Sequence, residues 1–164
     1  MPRRLFALAL LVALATVVEA APAAPGFRVK TLDGRRLIDS NELIGKKIVV
    51  LRFQASYCKP CGKESPALNR VAERYRDRDV EVIAVHVQDT VSDTRAFMRT
   101  YRVTYPVALD PRLNLGNRFG FKGTPYTVVI DRKGEVAARL TGEGAVRRLP
   151  PMLDALLAKD PPAS

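Results

Sequence analysis

The chain has 164 residues, of which 47% are hydrophobic and 27% charged, and its 27 lysine and arginine residues against 17 acidic ones give a net charge of +10. One domain of about 100 to 200 residues fits this length, the apolar content argues against a disordered chain, and two cysteines exclude a scaffold of several disulfides. Basic and acidic residues are intermixed, which predicts a solvated surface and no nucleic-acid partner, with attraction to an acidic partner or an anionic membrane as the alternative.

The beginning of the chain differs in composition from the rest. Arg3 and Arg4 precede an apolar stretch from Leu5 to Val18, and small residues follow it. This pattern predicts a secretory signal over residues 1–20 and therefore an exported protein. Because the stretch is shorter than the about 20 residues that cross a bilayer, an uncleaved membrane anchor, and with it a membrane tether, is the alternative interpretation.

A short linker and one folded domain are predicted after the signal. Residues 21–26 are small and contain proline, and residues 27–164 show no internal repeat, so we assign them to a single domain. This domain opens with a predicted hairpin, because Phe27–Lys30 alternates apolar and polar residues and Asp33-Gly34 is a strong turn signal before Arg35–Ile38.

The centre of the chain predicts a βαβ unit. Ile48–Phe53 and Val80–Val87 are rich in β-branched residues, as strands buried in parallel sheets are, and Lys59–Tyr75 between them predicts the crossover helix. The other predicted elements are a helical turn at Ser40–Gly45, a helix at Ser92–Tyr101, an extended piece at Tyr105–Leu109, a hairpin of Tyr126–Asp131 and Glu135–Thr141, and a closing helix marked by Val146, Leu149, Leu153, Leu156 and Leu157. Together they predict an α/β fold with a mixed central sheet flanked by helices on both faces.

The residues that carry chemistry follow the first core strand, in the segment Tyr57-Cys58-Lys59-Pro60-Cys61. Cysteines three positions apart at a helix start can close a disulfide within one turn. The free N–H groups and the macrodipole of that helix end favour an anion on the first sulfur. This predicts Cys58 as a nucleophile, since the thiolate is the reactive form.

Two other interpretations of the cysteine pair stay open. A structural disulfide that encloses two residues constrains little chain, and a structural zinc site takes four ligands. The chain has no second cysteine pair, and its one histidine, His86, lies in an apolar strand where a core position is expected. A redox-active pair without metal or cofactor is therefore the favoured interpretation.

A second motif brings a family into view. Pro125 stands directly before a predicted strand, which a cis Thr124–Pro125 bond would explain. The cysteine pair followed by this proline resembles the thioredoxin superfamily, and Tyr57 to Pro66 is similar to its exported branch of TlpA-like and ResA-like thiol-disulfide oxidoreductases. The resemblance covers nearly all of residues 27–159 and implies a thioredoxin-like fold with an N-terminal hairpin extension.

The resemblance also implies roles for individual residues. It makes Cys58 the attacking sulfur and Cys61 the resolving one. Thr124 and Pro125 would pack against the disulfide and present backbone to an incoming peptide. Tyr57 stands where many members have tryptophan, so an aromatic wall for the substrate is kept.

Glu64 is a further candidate catalytic residue. It follows Cys61 by three positions, so both side chains lie on the same side of the helix. A carboxylate there could take or return the Cys61 proton, and the resemblance implies such an acid. A solvated surface glutamate is the alternative.

The function implied by the resemblance is a periplasmic or otherwise extracytoplasmic protein-disulfide reductase. Its electrons would come from a membrane thiol donor and go to exported disulfide-containing proteins such as apocytochrome c, in cytochrome c maturation, or copper-site proteins. One alternative is a peroxiredoxin-type peroxidase, which needs proline and threonine upstream of its cysteine, whereas residues 51–57 contain neither. A copper-binding chaperone using Cys58, Cys61 and His86 is the other.

Overall fold

The computed structural model describes residues 21–159, so the predicted signal at residues 1–20 lies outside the described residues. Within that range, no helix combines the length and apolar character that crossing a bilayer requires. The predicted linker at residues 21–26 is hydrogen-bonded to the domain, because the Ala24 amide donates to the Gly134 carbonyl at 2.8 Å and the Val136 amide donates to the Pro22 carbonyl at 2.8 Å.

Seven strands and five helices make up the described part. In chain order they are β1 (Arg28–Lys30), β2 (Leu37–Asp39), α1 (Ser40–Leu43), β3 (Ile48–Gln54), α2 (Lys59–Tyr75), β4 (Val80–Val87), α3 (Val91–Thr100), β5 (Val107–Asp110), α4 (Asn114–Arg118), β6 (Tyr126–Ile130), β7 (Val136–Thr141) and α5 (Ala145–Lys159). The first two strands form the predicted hairpin. The other five form one sheet in the order β5-β4-β3-β6-β7, with β3, β4 and β5 parallel and β6 and β7 antiparallel to their neighbours.

Both faces of this sheet are covered, as the unbroken apolar runs of β3 and β4 predict. Alternate residues of β3 enter two different apolar clusters, because successive side chains of a strand point to opposite faces. Val49, Leu51 and Phe53 pack with Phe97 of α3 and with Phe119, whereas Ile48 and Val50 pack with Leu68 of α2 and Leu149 of α5. The predicted α/β architecture with a mixed sheet is confirmed.

One helix has no counterpart among the predicted elements. α4 has five residues, too few for a recognisable apolar repeat. Long-range contacts stabilise it instead: the Gly116 amide donates to Oδ2 of the buried Asp110 at 2.8 Å, and Leu115 packs in the core. The cysteine pair lies away from α4, where β3 ends and α2 begins.

Candidate active site

Cys58 and Cys61 form a disulfide at the start of α2, with their Cα atoms 5.2 Å apart. Cys58 is the N-cap residue of the helix, and its sulfur accepts a hydrogen bond from the Cys61 amide at 3.2 Å. The first turn contains Pro60 and no acidic residue. The predicted position of the first sulfur, beside free N–H groups at the positive end of a helix dipole, is therefore the one observed.

Cys58 is 6% exposed and Cys61 only 1% exposed, so Cys61 is the more deeply placed of the two. Tyr57 beside them is 63% exposed, which makes it one of the most exposed large apolar side chains of the described part. Tyr57 therefore offers an exposed aromatic ring directly beside a buried cysteine pair.

The Thr124–Pro125 peptide bond is cis, as the sequence predicts. Pro125 is buried and Thr124 is half-buried. Pairing of β3 with β6 ends at Phe53 opposite Tyr126. The proline and the loop that leads from β3 to Cys58 therefore leave the sheet at the same end.

Glu64 forms a contact that the sequence analysis did not anticipate. Its Oε2 lies 2.5 Å from Nη2 of Arg52 in β3, and its Oε1 accepts a hydrogen bond from the Gly144 amide at 2.7 Å. Glu64 is thus a half-buried carboxylate that links α2 to β3 and to the start of α5, and it is not a freely solvated surface residue.

Arg52 is the residue of this group that sequence reasoning missed. Its side chain is 1% exposed, and its Nη1 donates to Thr127 Oγ1 at 3.0 Å. Burial lowers the pKa of the Arg52 guanidinium, and the hydrogen bond and charge of Glu64 oppose that effect. The available signal was an arginine inside an otherwise apolar strand, since a charge in such a place needs a partner.

His86 is fully buried, as expected for a core histidine, and both of its ring nitrogens have partners. Nε2 lies 2.9 Å from Gln54 Nε2, and Nδ1 lies 2.7 Å from Asp89 Oδ2. Burial lowers the pKa of His86, whereas the hydrogen bond and charge of Asp89 act to raise it. Register explains the first contact, because Gln54 of β3 and His86 of β4 are direct neighbours in the sheet.

Across residues 21–159, no three histidine, cysteine, aspartate or glutamate side chains are grouped so that they could hold a metal ion. Cys58, Cys61 and His86 therefore do not form the copper site that the chaperone alternative requires.

Comparison with known proteins relates this site to a protein family. Residues 20–139 match the model of the AhpC/TSA family. The chain is 33% identical over 126 residues to the thiol-disulfide oxidoreductase ResA of Bacillus anthracis, an alignment that covers 77% of this chain and 72% of the relative. ResA of Geobacillus thermodenitrificans is 33% identical over 129 residues, with the same coverage of each chain.

Solved structures show the same relationship. A thiol:disulfide interchange protein of the thioredoxin family from Chlorobium tepidum TLS overlaps with a TM-score of 0.75 and 25% identity, over 85% of this chain and 98% of that one. The MTB dsbF structure, in mixed oxidised and reduced forms, overlaps with a TM-score of 0.71 and 28% identity, over 79% and 94% of the two chains. These overlaps confirm the predicted thioredoxin-like fold.

Proposed function

The chain belongs to the AhpC/TSA family and is a thiol-disulfide oxidoreductase related to ResA, and from this we propose that it reduces disulfides of exported proteins outside the cytoplasm. The observation that carries the proposal is the place of the Cys58 sulfur at the N-cap of α2. A thiolate released there is stabilised by the helix dipole and by N–H donors, so the reduced pair holds a ready nucleophile.

The proposed reaction is thiol–disulfide exchange. The Cys58 thiolate attacks one sulfur of a substrate disulfide, that S–S bond breaks, and the other substrate sulfur leaves as a thiolate. The Cys61 thiolate then attacks the Cys58 sulfur and releases the second substrate thiolate. Two electrons have passed to the substrate, its two sulfurs have taken up two protons, and the Cys58–Cys61 disulfide has formed. The deeper burial of Cys61 supports this division, because Cys58 keeps the larger exposed fraction of the two.

We assign substrate contact to Tyr57, Thr124 and Pro125. The exposed Tyr57 ring offers apolar area beside the sulfurs. Pro125 has no N–H to donate and stands directly before β6, and we assign to the backbone of Thr124 beside it the reception of an extended peptide.

Glu64 is proposed as the proton acceptor for Cys61. Its place three positions beyond Cys61 on α2 supports this role, and donors from Arg52 and Gly144 hold its two carboxyl oxygens in place. Replacement of Glu64 by glutamine should therefore alter the titration of the Cys61 thiol. Unchanged titration of both thiols in this variant would remove Glu64 from the mechanism.

The proposed location rests on the leader pattern, and the proposed partners rest on the relationship to ResA. Arg3, Arg4 and the apolar stretch after them support export, and we propose that a membrane thiol donor reduces the pair again. The acceptors are disulfide-containing exported proteins, with apocytochrome c and copper-site proteins as the proposed examples. Retention of the leader would tether the protein to the membrane.

The decisive experiment traps the mixed disulfide and measures the reduction potential of the cysteine pair. When the Cys61→Ser variant meets a peptide that contains a disulfide, a mixed disulfide between Cys58 and one peptide cysteine should accumulate, whereas the Cys58→Ser variant should trap nothing. A reduction potential of about −270 mV would support the reducing direction, and one of about −120 mV would indicate an oxidant. Failure of the reduced protein to open any disulfide, or peroxide consumption in its place, would overturn the proposal.

A further inference from the structure

A buried hydrogen-bonded group lies on the N-terminal side of the cysteine pair. The Ser56 amide and the Ser56 hydroxyl both donate to the Asp89 carboxylate, each at 2.7 Å. Asp89 Oδ2 also lies 2.7 Å from His86 Nδ1. The backbone two residues before Cys58 is therefore held by Asp89, which His86 holds in turn.

A second group leads from the same histidine to the other cysteine. Gln54 Nε2 lies 2.9 Å from His86 Nε2 and 3.5 Å from the Tyr105 hydroxyl. That hydroxyl lies 3.0 Å from Ser65 Oγ, which donates to the Cys61 carbonyl at 3.0 Å. The two groups join at His86, and this chain of hydrogen bonds from Ser56 to Cys61 is called the relay below.

One assignment of protons satisfies every link of the relay. The two amide hydrogens of Gln54 point at His86 Nε2 and at the Tyr105 oxygen, so Nε2 accepts and the imidazole proton lies on Nδ1, from which it is donated to Asp89. Tyr105 then donates to Ser65, and Ser65 to Cys61. With the Gln54 amide in this orientation, a second proton on His86 would place N–H against N–H, so this arrangement of the relay requires the neutral ring.

Neutral His86 fits its surroundings. The ring is fully buried, with the Phe97 ring of α3 packed nearly perpendicular to it at a centroid distance of 4.9 Å. Burial lowers the pKa of His86 and raises that of Tyr105, so both groups are held in their uncharged forms. Asp89 is the charged partner of the ring and is itself fixed by two donors of Ser56.

We propose that His86 is a positioning residue for the redox pair: through Asp89 and Gln54 it holds the backbone on both sides of Cys58–Cys61 in the arrangement that the disulfide needs. The inference rests on the proposed function of this pair as the redox couple. Reduction lets the two sulfurs separate, and a backbone fixed at Ser56 and Cys61 resists that change. The relay therefore favours the oxidised pair, and its loss makes the disulfide easier to reduce.

The test measures the equilibrium between the full-length protein and dithiothreitol. In this exchange the Cys58–Cys61 S–S bond breaks and one forms in dithiothreitol, with transfer of two electrons and two protons. Free thiols are counted by alkylation and mass spectrometry, which requires no catalytic turnover. His86→Asn should shift the equilibrium constant at least tenfold toward the protein dithiol, about 30 mV for a two-electron couple.

Tyr105→Phe removes only one hydroxyl of the relay and should shift the equilibrium constant in the same direction by a smaller factor. This variant tests the proposal if His86→Asn does not fold. Thr94→Val is the matched control, because the Thr94 hydroxyl is buried and has no hydrogen-bond partner in the described part of the chain. The control should retain the wild-type constant. Equal constants for wild type, Tyr105→Phe and Thr94→Val would overturn the proposal.

A spectroscopic measurement tests the proton assignment directly. The chain has a single histidine, so the imidazole nitrogens of untagged protein give one assignable pair of ¹⁵N signals. We expect a neutral ring with its proton on Nδ1 at pH 7, and a proton on Nε2 would overturn the relay. Because the thiol count and this spectrum do not depend on disulfide reductase activity, failure of the proposed function would be seen separately.

Discussion

The two halves of strand β3 are equally buried but differ in the polarity of their side chains. Ile48, Val49 and Val50 at its start lie in the apolar clusters, whereas Arg52 and Gln54 near its end are polar and just as inaccessible to water. Burying a polar group is unfavourable unless it is hydrogen-bonded. The partners of these two residues are Glu64, Thr127, His86 and Tyr105.

The difference teaches where the fold is specialised. Apolar residues at the start of β3 need only volume and shape from their neighbours, so many sequences would serve there. The end of β3 requires particular donors and acceptors from β4, α2 and β6, and this is the end that leads to Cys58. Four changes test how far this distinction holds.

The largest effect is expected for Arg52→Met. It leaves Glu64 without its cationic partner, and breaking a buried ion pair typically lowers the free energy of unfolding by about 3 to 5 kcal/mol. Urea unfolding measures the loss. The double variant Arg52→Met with Glu64→Met should recover most of it, because no charge is then left unpaired, and a double variant as unstable as the single one would contradict this account.

The next effect concerns pH and His86. Burial holds the folded pKa of His86 below its ordinary value of 6.5, so below that pH the unfolded chain binds a proton that the folded chain does not. The free energy of unfolding should therefore fall as pH drops from about 6.5 to the folded pKa, by at most about 1.4 kcal/mol per pH unit. Above that range, protonation of His86 should add no pH dependence.

Urea unfolding of wild type and His86→Asn between about pH 7.5 and 5.5 isolates this contribution, since the other titrating groups are common to both proteins. The variant should show the smaller slope. Identical slopes would mean that His86 does not resist protonation in the folded state.

A smaller effect is expected at the apolar start of β3. Ile48→Val removes one buried methyl group and should lower the free energy of unfolding by about 0.5 to 1.5 kcal/mol. The reduction potential of Cys58 and Cys61 should stay at the wild-type value. A shift as large as that predicted for His86→Asn would erase the distinction between the two halves.

The smallest effect is expected for an ion pair whose arginine is exposed. The Arg28 side chain is 67% exposed and that of Asp39 is 11% exposed, with Nη2 of the arginine 2.6 Å from Oδ2 of the aspartate, so solvent screens the pair from the arginine side. Arg28→Ala should lower the free energy of unfolding by about 0.2 to 1 kcal/mol, and by less in high salt. A loss comparable to that of Arg52→Met would show that burial does not separate the two pairs.

Much of the fold was predictable because its signals are local. The apolar runs of β3 and β4, the turn at Asp33-Gly34 and the helix Lys59–Tyr75 each depend on neighbouring residues, and all were confirmed. The cysteine pair was equally visible, since two positions on one helical turn determine whether a disulfide can close. α4 escaped prediction because its stability comes from Asp110 and the core rather than from its own five residues.

The candidate site was predictable only in part. Glu64 was recognised by its spacing from Cys61, but its partner Arg52 precedes it by twelve positions and lies in another element. Likewise His86 was correctly expected in the core, while its contact with Gln54 depends on the pairing of β3 with β4; its contact with Asp89, three positions further on, is local.

The sequence by itself determined the strands and every helix except α4, the start of α2 and the place of both sulfurs on it, because these depend on short-range periodicity and helix-end chemistry. Only the tertiary structure decided which buried polar groups meet. Strand register and helix packing bring Arg52 to Glu64 and Gln54 to His86, and hydrogen bonds form only between atoms about 3 Å apart, whatever their distance along the chain.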